Sequence, residues 1–340
     1  MSDLRKILII ETAFIGDAVL SLALAEEIKR LRPNVLIHYL VAPASVSVMS
    51  HSPSVASVHS FDKRGVDTGE AGIHIIADLL NRENFDAVFS LHESRRTAKV
   101  LSLLSAKYKI GSASALHLLP YLTHSYLLPT KGRRTERITE LARFFHEDIN
   151  HSSLPKLVFD KSLLPSILRD RPNIVVLAPG STWKTKKWAE SRFIDVGREL
   201  ANDGNTVVII GADEDRHIGE HIAQNIGKSA YNFAGTLDIV SSGAIISHAK
   251  LVVGNDSAPI HIATACGVRS VEIMGPTVQD FGFVPPSELG IIVEQEGLWC
   301  RPCNSHGGDS CPIYTHECMV NITSEMVLNA AIKQLEYAAS

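Results

Sequence analysis

What most limits the fold of this chain is a rhythm of short, continuously apolar, β-branched runs alternating with stretches of helical period. The runs fall at 6–10, 35–41, 55–61, 86–91 and 107–111, with helix-like segments at 17–31, 71–83 and 95–105. Strands that are apolar along their whole length are buried on both faces, and strands that alternate with helices pair in parallel. The rhythm restarts after Pro155, Pro165 and Pro172, with runs at 173–178, 206–210, 250–254 and 270–274. The expected fold class is therefore α/β, with two doubly wound, Rossmann-like parallel-sheet domains. They are placed at 1–160 and 161–322. A helix over 323–340, with Thr323 as N-cap and Glu325 in its first turn, is expected to pack back toward the N-terminal domain.

At 340 residues, 45% hydrophobic and 21% charged, the chain can fill two cores. A net charge of −4 gives no global attraction to nucleic acid or to an anionic membrane, so any acidic ligand must meet local positive charge. Too few apolar residues precede Glu11 for a signal-peptide core, and no later run reaches the length of a membrane span. The expected location is cytoplasmic, with a peripheral membrane surface left open.

Ligands of such folds bind at the carboxyl ends of strands. The first strand runs into Glu11-Thr-Ala-Phe-Ile-Gly-Asp17, where Gly16 permits a tight turn and Asp17 sits at a helix start facing the crevice. A general base needs that position; a plain helix N-terminal Asp uses it equally well. The single glycine is not the G-x-G-x-x-G dinucleotide fingerprint. In the second half, Pro179-Gly-Ser181-Thr182 leads to Lys184, Lys186 and Lys187 between two tryptophans, a grouping suited to a pyrophosphate. After 206–210 come Asp213, Glu214 and Asp215, which can accept from a ribose or cap a helix; metal binding by this D-x-D is discounted. Asn255-Asp256-Ser257-Ala258 ends a strand and opens a helix whose free N–H groups suit an anion or sugar, and His261 is within reach of the same ligand. Cys300, Cys303, Cys311 and Cys318 leave a structural zinc and unmodified thiols both open. Arg95, Arg96 and Lys99, and likewise Arg133, Arg134 and Arg137, can meet an anionic acceptor or simply face solvent.

Gly16-Asp17, Pro179-Gly180-Ser181 with Lys186 and Trp188, Asn255-Asp256-Ser257 with His261, Gly275-Pro276-Thr277, and Cys300-x-Pro-Cys303 leading to Glu317-Cys318-Met319 together resemble glycosyltransferase family 9, the lipopolysaccharide heptosyltransferases. The resemblance spans nearly the whole chain. It implies a GT-B architecture, with two Rossmann-like domains facing a cleft, and an inverting, metal-independent transfer from ADP-heptose to a lipopolysaccharide inner-core glycolipid. No cofactor is required and no nucleic acid is involved. By position, Asp17 is implied as catalytic base. Ser181, Thr182, Lys186, Ser257 and Ala258 are implied as donor phosphate ligands, Glu214 or Asp215 as the nucleoside contact, and Asp256 with His261 as the donor sugar site. Ala258-Pro259 departs from the glycine common at this point of the family. Other nucleotide-sugar transferases or epimerases of this fold, or a silent nucleotide-sugar-binding protein, are the competing readings.

Overall fold

The computed structural model describes residues 4–339, which divide after Val158 into two compact units. The first is built from β1 (Lys6–Glu11), α1 (Ile15–Leu31), β2 (Leu36–Val41), α2 (Val46–Met49), β3 (Ser57–Ser60), α3 (Gly69–Arg82), β4 (Ala87–Ser90), α4 (Arg95–Leu103), β5 (Tyr108–Ser112), β6 (His124–Tyr126) and α5 (Arg134–Thr139). Its six strands are parallel, in the order β3-β2-β1-β4-β5-β6.

The second unit contains β7 (Ile174–Ala178), α6 (Glu190–Asn202), β8 (Thr206–Ile209), α7 (Arg216–Ile226), β9 (Ala230–Asn232), α8 (Ile239–Ser247), β10 (Leu251–Asn255), α9 (Ala258–Ala265), β11 (Arg269–Met274), β12 (Gly290–Glu294), α10 (Glu317–Val320) and α11 (Ser324–Ala339). Its sheet runs β12-β11-β10-β7-β8-β9, again all parallel. Both sheets thus follow one winding: three strands laid outward from the first, then a return to the first strand's other side. The loops leaving the two central strands diverge, which opens a crevice at their carboxyl ends.

The strands are apolar throughout because each sheet is covered on both faces. In the first unit Leu8, Ile10, Leu40 and Val88 pack under α3 and α4 through Ile73, Ile76, Leu80, Val100 and Leu101. α1 is buried nearly all round, from Ala18 to Ile28, as a helix enclosed within a core must be. In the second unit Val175, Leu177, Val253, Val271 and Ile273 meet Phe193, Val196 and Leu200 of α6. The sequence reading sent 323–340 toward the first domain. In the structure, α11 lays Val327, Ala330 and Ala331 on β10, β11 and β12 of the second unit and beside α6, with Thr323 Oγ1 capping the N–H of Met326 at 3.2 Å; Ser340 lies outside the described residues. All three tryptophans belong to the second unit: Trp188 is buried, Trp183 half-buried and Trp299 84% exposed. Among the described residues no helix is long and apolar enough to cross a membrane.

Candidate active site

β7 and β10 are the neighbours between which the second sheet reverses its winding, paired with Ala178 opposite Gly254. Asn255, fully buried, ties their loops together. Its side-chain amide donates to the Pro179 carbonyl at 2.7 Å and its oxygen accepts from the Trp188 N–H at 3.1 Å. Trp188 is fixed in turn: its indole N–H donates to the Ile322 carbonyl at 2.9 Å, and its ring meets Phe193 edge-on at 5.0 Å. With both ends of the turn anchored, Lys186 reaches Asp256, Nζ to Oδ2, at 2.6 Å, and the same oxygen accepts from Thr277 Oγ1 at 2.7 Å. Lys186 is 9% exposed and Asp256 7%. A charge-assisted bond this short and this dry is stronger than its surface counterpart, and it aims an ammonium group at the crevice.

Beneath this pair lies Glu272 of β11, fully buried, with neither carboxyl oxygen hydrogen-bonded among the described residues. Burial holds its carboxyl well above the ordinary carboxylate range. The negative charges of Asp256 and Glu294 push the same way, and Lys186 opposes them. Glu294 itself is paired with Arg301, whose side chain is only 6% exposed, at 2.5 Å, and Arg301 also donates to the Thr277 carbonyl at 2.6 Å. Thr277 thus joins two buried ion pairs, one through its hydroxyl and one through its carbonyl.

The cysteine-bearing segment has a structural task at this site. Thr185, one residue before Lys186, exchanges three hydrogen bonds with Gly308: N–H to carbonyl at 3.0 Å, hydroxyl to carbonyl at 2.9 Å, and Gly308 N–H to hydroxyl at 2.8 Å. His316 Nε2 lies 2.7 Å from the Thr185 carbonyl, so the tautomer protonated at Nε2 donates to it. Gly307 has φ +94°, and a Cβ there would crowd Trp183, Lys186 and Thr185 at 3.1–3.3 Å, so only glycine fits the approach. The five cysteines are free thiols, and among the described residues no group of three or more His, Cys, Asp or Glu is placed to hold a metal ion.

The first unit carries its own cluster at the carboxyl ends of β1 and β4. Asp17 is the third residue of α1, half-buried, in the first turn. Behind it Glu11 is buried and pairs with Arg134 at 3.2 Å. Burial raises the Glu11 carboxyl to about 7. Arg134 pulls it down, while the Asp17 charge raises it. Thr12 Oγ1 lies 2.9 Å from His92 Nδ1 and 3.4 Å from Lys63 Nζ. Burial first, then the charges of Lys63 and Arg134, depress His92 to about 4, so it is neutral at pH 7.

Of the residues singled out from the sequence, Lys186 and Asp256 are brought into direct contact. Ser257 and Ala258 begin α9, with Pro259 in its first turn, where a missing N–H is tolerated. His261 follows on the same helix, buried, its ring 6.3 Å from Phe283. Ser181 and Thr182 line the turn before Lys184. Glu214 is exposed, whereas Asp215 turns inward to Lys187 at 3.1 Å and against Gly180. Arg95 and Arg96 are exposed at the start of α4, and Lys99 pairs with Glu70. Sequence reasoning missed Glu11, Thr185, Glu272, Arg301 and His316. Only a charged residue inside an apolar strand, as in Val271-Glu272-Ile273, was a usable signal.

The sequence profile of glycosyltransferase family 9 (heptosyltransferase) matches residues 73–310. Among curated relatives, lipopolysaccharide heptosyltransferase 2 of Salmonella typhimurium is 23% identical over 95% of this chain and 96% of its own. Lipooligosaccharide heptosyltransferase 2 of Haemophilus influenzae is 22% identical over 95% and 97%. The fold is shared with solved structures. A glycosyl transferase family 9 protein from Veillonella parvula superposes with TM-score 0.83 at 18% identity, covering 98% of this chain and 97% of that one. E. coli ADP-heptose lps heptosyltransferase II gives 0.78 at 19%, over 99% and 100%. With the profile covering more than half of its length, the chain belongs to glycosyltransferase family 9 and is a glycosyltransferase.

Proposed function

We propose that the protein transfers heptose from ADP-heptose to a lipopolysaccharide inner-core acceptor, with inversion and without a metal ion. The observation that carries this reading is the buried Lys186–Asp256–Thr277 group at the switch point of the second sheet. An ammonium group held there, with the Ser181 and Thr182 hydroxyls and the Ala258 amide at the start of α9, suits a pyrophosphate and the negative charge that develops as ADP leaves. Asp256 and His261 are assigned to the sugar and Glu214 to the nucleoside. Asp215 is the weaker candidate for that last role, because Lys187 already occupies it.

Asp17 is assigned as the base that takes the proton from the acceptor hydroxyl as that oxygen attacks the anomeric carbon. Glu11 lies behind it, paired with Arg134, and the Asp17 charge is one of the causes that raise the Glu11 carboxyl. Arg95, Arg96 and Lys99 are assigned to anionic groups of the acceptor. Names of relatives support this substrate pair: curated relatives are lipopolysaccharide heptosyltransferases, and one solved relative is an E. coli heptosyltransferase with ADP-2-deoxy-2-fluoro heptose.

The test is incubation with ADP-heptose and a set of truncated core glycolipids, with products weighed by mass spectrometry, and UDP- and GDP-sugars as competitors. Asp17→Asn is expected to lower turnover by about a thousandfold while calorimetric donor affinity stays within a factor of about three. Turnover retained in that variant removes Asp17 from the base role, and preference for another nucleotide replaces ADP-heptose as donor.

A further inference from the structure

Glu272 stands in a row of the second sheet that offers its carboxyl no partner. It lies in register with Gly254 of β10 on one side and Ile292 of β12 on the other, and Gly254 is in register with Ala178 of β7. A Cβ at Gly254 would meet the Ala178 Cβ at 2.9 Å, so that position has no room for a polar side chain. Side chains alternate along β11. Val271 and Ile273 join the core shared with α6 and α11, which sets Glu272 and Ser270 on the opposite face. Ser270 Oγ is likewise buried without a hydrogen-bond partner among the described residues. Such groups cost stability, and an apolar side chain would suit this row better. Where a fold keeps one at that cost, a functional reason is expected.

The charged groups around Glu272 belong to the donor site. Asp256 follows two residues after Gly254 and holds Lys186 at 2.6 Å. Glu294 follows two residues after Ile292 and pairs with Arg301. Asp256 and Glu294 oppose a negative charge on Glu272, and Lys186 favours it. α9, which packs on β10 and β11, carries one titratable residue, His261. The acids and lysine of α11 belong to a helix on the sheet's other face.

With Glu272 protonated, Lys186 is opposed by Asp256 alone and can turn its ammonium group to a pyrophosphate. With Glu272 ionised, two carboxylates compete for one ammonium group, and an entering pyrophosphate meets added negative charge in a dry site. We propose that Glu272 is a positioning residue that couples donor binding to proton uptake, admitting the pyrophosphate while it holds its proton and excluding it as the carboxylate. The inference rests on the assignment of Lys186 to the donor pyrophosphate. By linkage a bound donor holds the proton on Glu272 more tightly, so affinity is complete at low pH and is lost as pH rises through the titration of the free enzyme.

The experiment is calorimetric titration of the intact protein from about pH 6 to 9. The probes are ADP-heptose, ADP-glucose and UDP-glucose, pyrophosphate diesters whose own charge is constant over that range. Wild-type Kd is expected to rise by about tenfold across it, with uptake of up to about one proton on binding, read from buffers of different ionisation enthalpy. Glu272→Gln and Glu272→Met, each checked for a native melting transition, should bind with a Kd that stays within about a factor of two from end to end and without that uptake. A flat wild-type profile overturns the proposal, and so does a wild-type slope retained in either folded variant. Binding of UDP-glucose in preference to ADP-heptose rejects the heptose donor and leaves the proton coupling to be read on UDP-glucose. Failure of every probe to bind rejects both.

Discussion

Glu272 and Lys186 differ by one residue type and by what each would leave behind if removed. Glu272 is buried and without a hydrogen-bond partner among the described residues, and burial disfavours its charged form, so Glu272→Met should be neutral or stabilise by about 1–3 kcal/mol in urea unfolding. Lys186→Met should instead cost about 3 kcal/mol, because it strands Asp256 without its cation beside Glu272, and it should also abolish donor binding. Equal effects of the two substitutions would contradict the picture of one unpartnered and one ion-paired acid. Glu11 supplies the pH signature. Its carboxyl is raised from 4.5 to about 7 in the folded protein, so between those values the folded state binds more protons than the unfolded one. Stability therefore falls as pH rises through that window, by at most about 3 kcal/mol from this residue. Glu11→Gln should flatten the slope in a comparison of melting temperatures from pH 5 to 8.

At the scale of elements, the lysine turn depends on a segment more than a hundred residues away. His316 and Gly308 hold Thr185 through its carbonyl, N–H and hydroxyl, so His316→Ala should raise the donor KM by about tenfold with a smaller change in kcat. A uniform loss of folded protein, with unchanged kinetics in the remainder, would make the contact purely structural. This clamp was not legible in the sequence, because its partners are joined only by the folded sheet. The central strands were legible, since burial on both faces writes itself as unbroken apolar runs. β6, β9 and β12 were missed. Each is an edge strand, and HSY and AYN are only half-buried, so neither carries the signal on which the reading relied. Asp17, Lys186 and Asp256 could be singled out because strand ends followed by helix starts are visible as pattern, whereas Glu11 and Arg134 meet across 123 residues.

Each unit has hydrophobic core of its own, and each sheet is complete without the other. Calorimetry of the full chain should therefore resolve more than one transition, and ADP near one hundred times its Kd should raise the second unit's transition by about 2.7 kcal/mol. A single transition that moves as one body with ADP would show that the two units melt together. Because Trp183, Trp188 and Trp299 all lie in the second unit, emission from tryptophan is a local instrument. Buried Trp188, bonded through its indole to Ile322 two positions from the lysine turn, should emit to the blue of exposed Trp299. A red shift on heating thus times the loss of the second unit alone, while far-ultraviolet dichroism records both. The interval between the two curves measures how independently the first unit melts, with no label attached to the protein.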